Sequence, residues 1–243
     1  MLRDALRVQD EVVQNEAAAQ PTADRSVTQL LQHGRDREAA EMGVAQLAPT
    51  TTGAPVTAVE TLDQLDAIVP LLAGLVASID DHQLEAGTPC ASFDVRQVLE
   101  HMVGGATMFA AAFRGVAPPA DPLPEDLVAA FPVAMADLGA ALHSPGALDR
   151  TIDAPFGQVP GETFARFVAL DGLVHGWDLA TATGQRYDPP ADVVAEVDAF
   201  ARQAIRDDLR DGEMFAAATE PPAGSSQLLR LVAFTGRKVA GDA

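Results

Sequence analysis

The chain has 243 residues, 48% of them apolar, enough to bury the core of one large domain. With 16 basic against 35 acidic residues its formal charge is −19 and no basic stripe offsets it, which counts against nucleic acid and anionic membrane surfaces as partners. The single cysteine, Cys90, excludes an intrachain disulfide and suits a reducing compartment.

No run of about 18 apolar residues occurs, so no membrane span is expected. The charged start, MLRDALRVQDEVVQNEAAAQ, lacks the apolar centre of a secretion signal, and the expected location is the cytoplasm. Residues 1–20 predict a short polar helix that Pro21 interrupts. Residues 26–47 predict another, with a weak apolar face of Val27, Leu30, Leu31 and Leu47. APTTTGAPVTAVE, residues 48–60, reads as a linker. Residues 1–58 are therefore expected to be an N-terminal extension, partly helical or flexible, and 59–243 the helical domain.

From residue 61 the pattern sharpens. Leu62, Leu65, Ile68, Leu71, Leu72, Leu75, Val76 and Ile79 recur every three or four positions, predicting an amphipathic helix of about five turns. The turn segment AGTPCASF leads to Asp94, an N-cap with Gln97 at the capping-box position. A second helix is predicted from Val95 to about Phe113, closed by Gly115 and the prolines of VAPPADPLPED. A third fits Glu125 to Leu142, where Pro132 predicts a kink or a late start. TIDAPFGQVPGE, residues 151–162, has hairpin-like turns but is short for a sheet. The fourth helix, Thr163 to about Thr183, is the most apolar, with Gly184 as its C′ residue. A fifth spans roughly Asp192 to Leu209, and SSQLLRLVAFTG predicts a short terminal helix. Four long helices with short and medium connections predict an all-α bundle.

The fourth helix also carries chemistry. Phe164, Phe167, Val168, Asp171, His175, Asp178, Leu179 and Ala182 share one stripe of period 3.6, so two aspartates and a histidine occupy positions that otherwise read as core. A buried carboxylate needs a partner or a metal. Asp171 and His175 stand one turn apart and can point at the same space. His101, amid the second helix at VLEHMVGG, supplies the third ligand of a metal site, since a catalytic zinc takes about three protein ligands and keeps one position open. Two imidazoles and one carboxylate suit zinc, nickel or iron. Plainer readings stand beside this one: Asp171 and His175 can simply hydrogen-bond each other, and His101 can be a satisfied boundary histidine. Asp178 can orient His175 or pair with a basic residue elsewhere. Cys90, in a turn beside proline, reads as a packing residue, and Trp177 as a core anchor or a pocket wall. An adjacent face of Ala165, Ala169, Gly172, Gly176 and Ala180 lets a neighbouring helix approach closely.

TPCASFDVRQVLEHMVGG at 88–105, FARFVALDGLVHGWDLATATGQ at 164–185 and LLRLVAFTGR at 228–237 together resemble the mycothiol-dependent maleylpyruvate isomerase type of DinB-like metal-binding proteins. The resemblance covers roughly residues 60 to 240, and the TPC and AFTGR signatures place the chain nearest an actinobacterial branch that carries the metal motif without an assigned reaction. It implies a DinB-like four-helix bundle with a small C-terminal extension. It implies a metal held by His101 on the second helix, by His175 in the H-x-W-D segment, and by the acidic residue one turn earlier. That residue is often glutamate in the family and is Asp171 here, one methylene shorter. The expected activity is that of a divalent-metal enzyme acting on a small-molecule substrate with a low-molecular-weight thiol such as mycothiol, of isomerase or transferase type. The expected assembly is a monomer or homodimer. Asp178 would tune His175 or help bind substrate, and Arg237 would offer a fork to a substrate carboxylate. A metal-dependent hydrolase and a non-catalytic metal- or partner-binding protein are the alternatives.

Overall fold

The computed structural model describes residues 60–154, 157–210 and 214–239. The expectations for residues 1–59 lie outside them. Among the described residues, six α-helices and one hairpin follow in order: α1 (Thr61–Val76), α2 (Val95–Arg114), α3 (Leu127–Leu142), β1 (Thr151–Ala154), β2 (Gly157–Pro160), α4 (Gly161–Thr183), α5 (Ala191–Ala204) and α6 (Gln227–Phe234). Helix α1 packs on α4 and α3, and α2 packs on α3 and α4, which makes α1–α4 the expected four-helix bundle. Helices α5 and α6 pack on each other and against α4 as a C-terminal extension. The centre is filled by side chains such as Ile68, Leu72, Leu99, Phe113, Phe131, Leu170, Leu173 and Leu179, all essentially inaccessible.

Local chemistry sets most of the boundaries. Asp94 caps α2 with a complete capping box: its carboxylate accepts from the Gln97 N–H at 2.8 Å, and the Gln97 side chain accepts from the Asp94 N–H at 2.9 Å. The N–H groups of Val95 and Arg96 donate to the carbonyls of Ala86 and Leu84, tying the turn segment to the start of α2. Gly184, at φ 69°, ends α4 in the left-handed conformation expected of a C-terminal glycine.

Three expectations change. The segment 151–162 does form a sheet, an antiparallel hairpin pairing Ile152 with Val159, because those two side chains turn inward and join the core. Helix α3 begins at Leu127, capped by Asp126, and continues through Pro132. The fifth helix stops at Ala204, since Ile205 is extended, and residues Asp207–Leu209 form a separate 3₁₀ turn.

The hairpin runs into α4 with no spacer, for β2 ends at Pro160 and α4 begins at Gly161. The first N–H groups of α4 are satisfied by the preceding loop: Gly161 donates to the carbonyl of Arg150 and Glu162 to that of Leu148. A Cβ at position 161 would stand 2.6 Å from the Ala147 carbonyl oxygen and 2.9 Å from that of Leu148.

Candidate metal centre

Helices α2 and α4 cross the bundle interior side by side, and their polar side chains meet there. Nε2 of His101 lies 3.1 Å from Oδ1 of Asp171, and Nε2 of His175 lies 3.5 Å from the same oxygen. The two imidazole rings stand edge to face at 5.0 Å. Ligand atoms bound tetrahedrally at about 2.1 Å from zinc are separated by roughly 3.4 Å. The spacing of the three donor atoms, all within 4.8 Å of one another, therefore fits a single small divalent ion. Two imidazoles and a carboxylate are also the right donor chemistry for one.

The electrostatics agree with this donor arrangement. Burial alone would raise the Asp171 carboxyl, but the charges of His101 and His175 and the His101 hydrogen bond outweigh it and bring its pKa down to about 2. Burial opposes a charge on His101, and Asp171 more than compensates, holding the ring above its ordinary value. About a third of the Asp171 side chain is accessible, and it lines a cavity shared with His101 and His175.

Behind this trio runs a second layer. Nδ1 of His175 lies 3.0 Å from Oδ2 of Asp178. An ionised carboxylate only accepts, so Nδ1 donates to Asp178, and Nε2 is the nitrogen directed at Asp171 and His101. Asp178 is wholly inaccessible. Its charge is matched by Arg237, whose Nε and Nη2 donate to it, the latter at 2.8 Å. Burial pushes the Asp178 carboxyl up, while the bond from His175 and the charge of Arg237 bring it below its ordinary value. The fork expected to face a substrate carboxylate is thus turned onto Asp178, with Nη1 directed at the Thr235 hydroxyl. Gly236 makes this possible: its φ of +100° bends the chain after α6, and Arg237 reaches back into the bundle.

The remaining walls come from loops and helices. Thr88 pins the turn before α2 by bonding to the carbonyl of Phe93 at 2.7 Å, and its hydroxyl accepts from the Cys90 N–H. Cys90 is held where its sulfur can reach the His175–Asp178 pair, and burial pushes its thiol pKa up. Its place in the wall, expected only to pack, carried no periodic signal because it lies in a turn. Trp177 packs against the core and is not part of the cavity lining. Phe93 stacks on His101 at 5.6 Å, and Met214 and Phe215 also line the cavity. These loop residues were also missed, since helical periodicity says nothing about a turn.

No helix among the described residues is long and apolar enough to cross a membrane. Comparison with known proteins points the same way as the geometry. Residues 62–180, which contain His101, Asp171, His175 and Asp178, match the mycothiol maleylpyruvate isomerase N-terminal domain. Two uncharacterised proteins of Mycobacterium tuberculosis, from strains CDC 1551 and H37Rv, are each 35% identical over 170 residues, covering 69% of this chain and 92% of the relative. No solved structure matches significantly. With a bundle of this topology, a domain match over residues 62–180 and relatives matched over nearly their whole length, the chain belongs to the mycothiol maleylpyruvate isomerase N-terminal domain family of DinB-like proteins.

Proposed function

We propose that this protein is a cytoplasmic, divalent-metal-dependent enzyme that acts with a low-molecular-weight thiol such as mycothiol, as an isomerase or a thiol transferase. The observation that carries the reading is the convergence of His101, Asp171 and His175 on the wall of a cavity. These three would hold the metal, zinc foremost, with nickel or iron also suited. A divalent ion bound there supplies Lewis-acid chemistry that lowers the pKa of a neighbouring thiol or water.

The chain's own residues prepare that chemistry. Asp178 holds the His175 proton on Nδ1 and so presents Nε2 as a donor. Arg237 keeps Asp178 ionised without exposing either charge to water, so both act as positioning residues. Asp178 and Arg237 cancel, leaving one carboxylate against a divalent ion. The pocket is then locally positive in a strongly acidic chain, which favours a thiolate over a neutral thiol.

The test is metal analysis of the purified protein, followed by titration of the cobalt-loaded protein with thiols. The expected result is about one ion per chain, lost in H101A and in H175A, and a new thiolate charge-transfer band on adding a low-molecular-weight thiol. Full metal retention in either histidine variant would overturn the site, and a spectrum that no thiol changes would overturn the thiol reading. Partial retention in D171A is expected, because water can take the place of a carboxylate.

A further inference from the structure

Five of the ten phenylalanines line the cavity that faces the metal centre: Phe93, Phe109, Phe164, Phe167 and Phe215. Phe113 and Phe131, which lie in the core outside the cavity lining, are sealed at 0% exposure. Four of the five cavity rings are only partly buried. They form an ordered wall, with Phe109 edge-to-face on Phe164 at 5.1 Å and Phe93 linking the wall to the imidazole of His101. The side chains in the lining that can form strong hydrogen bonds are His101, Asp171, His175, Ser92 and Arg237, with the Cys90 thiol beside them.

The cavity volume is about 200 Å³. An apolar cavity of roughly 150 Å³ holds one benzene molecule. This chamber therefore has room for one aromatic ring and a short substituent. A carrier thiol such as mycothiol, with its sugar hydroxyls, is too large for the chamber and would find few partners along the phenylalanine wall. Only its sulfur-bearing arm can reach the polar end.

We infer that the phenylalanine chamber binds the second substrate, a small molecule whose body is a single aromatic ring, with its reacting group directed at the His101–Asp171–His175 end. The inference rests on the proposed metal–thiol reading for the direction of the ligand, and on the chamber alone for the ring. Ring-on-ring contacts of the offset or edge-to-face kind would hold the ligand, and its short substituent would span the distance to the histidines.

The experiment measures binding of four probes to the full-length, zinc-incubated protein by calorimetry: benzyl mercaptan, benzyl alcohol, ethanethiol and ethanol. The benzyl member of each pair should bind at least about 10-fold more tightly than the ethyl member, the scale expected for burying one ring. Val168→Phe, which places a ring inside the chamber, should abolish that benzyl preference. Should this variant not fold, Phe109→Leu, which removes one ring of the wall, should reduce it several-fold. Equal binding of benzyl and ethyl probes, or a benzyl preference unchanged in the folded variant, would overturn the inference. The thiol-over-alcohol preference is a separate readout. Its absence with the benzyl preference intact would support the chamber and overturn the metal–thiol reading.

Discussion

On α4, the polar groups of Asp171, His175 and Asp178 are paired with one another and with His101 and Arg237, whereas the face that carries Gly172 and Gly176 meets Leu72, Ile68 and Tyr187. The two faces lie side by side on a single helix, and both are covered. On the small-residue face, coverage comes from close approach. A Cβ at Gly176 would stand 2.8 Å from Leu72 and 2.6 Å from Tyr187, so α1 lies against the backbone of α4 itself. On the polar face, coverage comes from pairing: each buried charge has a matched neighbour, ending at Arg237. Burying charges is costly and stabilises little on balance. On the proposed reading the polar face serves binding and the small face stability, and substitutions should separate the two.

The largest separation is expected at the ligands. His101→Ala or His175→Ala should weaken metal binding by more than the ~100-fold typical of losing an outer-layer partner, measured by competition with a chelator. The metal-free form should unfold at nearly its original temperature. A large loss of stability in the metal-free form would show that the histidines serve the fold. Asp178→Ala should be destabilising by about 3–5 kcal/mol in denaturant unfolding, because it leaves Arg237 buried without a counter-charge. The milder Asp178→Asn should fold and weaken the metal by roughly 10–100-fold, since the amide no longer fixes the tautomer of His175. Metal affinity indifferent to Asp178→Asn would detach the second layer from the site.

On the other face the expectation reverses. Gly176→Val should cost about 1–3 kcal/mol of stability by pushing α1 away, while the folded fraction binds metal as before. A metal defect at unchanged stability there would erase the distinction between the faces. The smallest effect is expected from Cys90→Ser, which should keep its metal in full. Although the sulfur can approach His175 and Asp178, those groups are already engaged with each other and with Arg237. Metal loss on this substitution would make Cys90 a fourth ligand.

How much of this was readable beforehand follows from the kind of signal each residue leaves. Asp171, His175 and Asp178 interrupt an apolar stripe of one helix, and a period of 3.6 places them on one face with no knowledge of the fold. His101 needed the further step that α2 and α4 are neighbours, which the apolar stripes and small residues supported. The partner of Arg237 left no such trace: it lies 59 residues away along the chain, and the contact depends on the bend at Gly236. Sequence alone offers the fork to a substrate, whereas the structure pairs it with Asp178. Residues 151–162 read as short for a sheet, yet Ile152 and Val159 make the hairpin part of the core. Phe93 and Phe215 come from turns, where no periodicity exists to read.

The direct joint between the hairpin and α4 makes the chain's spacing at residues 160–161 unforgiving. A residue inserted there would turn everything beyond it by about 100° around the helix axis and advance it by about 1.5 Å. His175 would swing away from His101, and the glycines would no longer lie against Leu72. Slack cannot be taken up at the joint, because the Gly161 and Glu162 amides are bound to the loop before the hairpin and the carbonyls of Ala147 and Leu148 crowd position 161. Length variation between homologous chains should therefore gather in the 115–126 connection and after Gly184 and avoid this junction, so that the hairpin acts as the ruler against which the phase of the ligand helix is set.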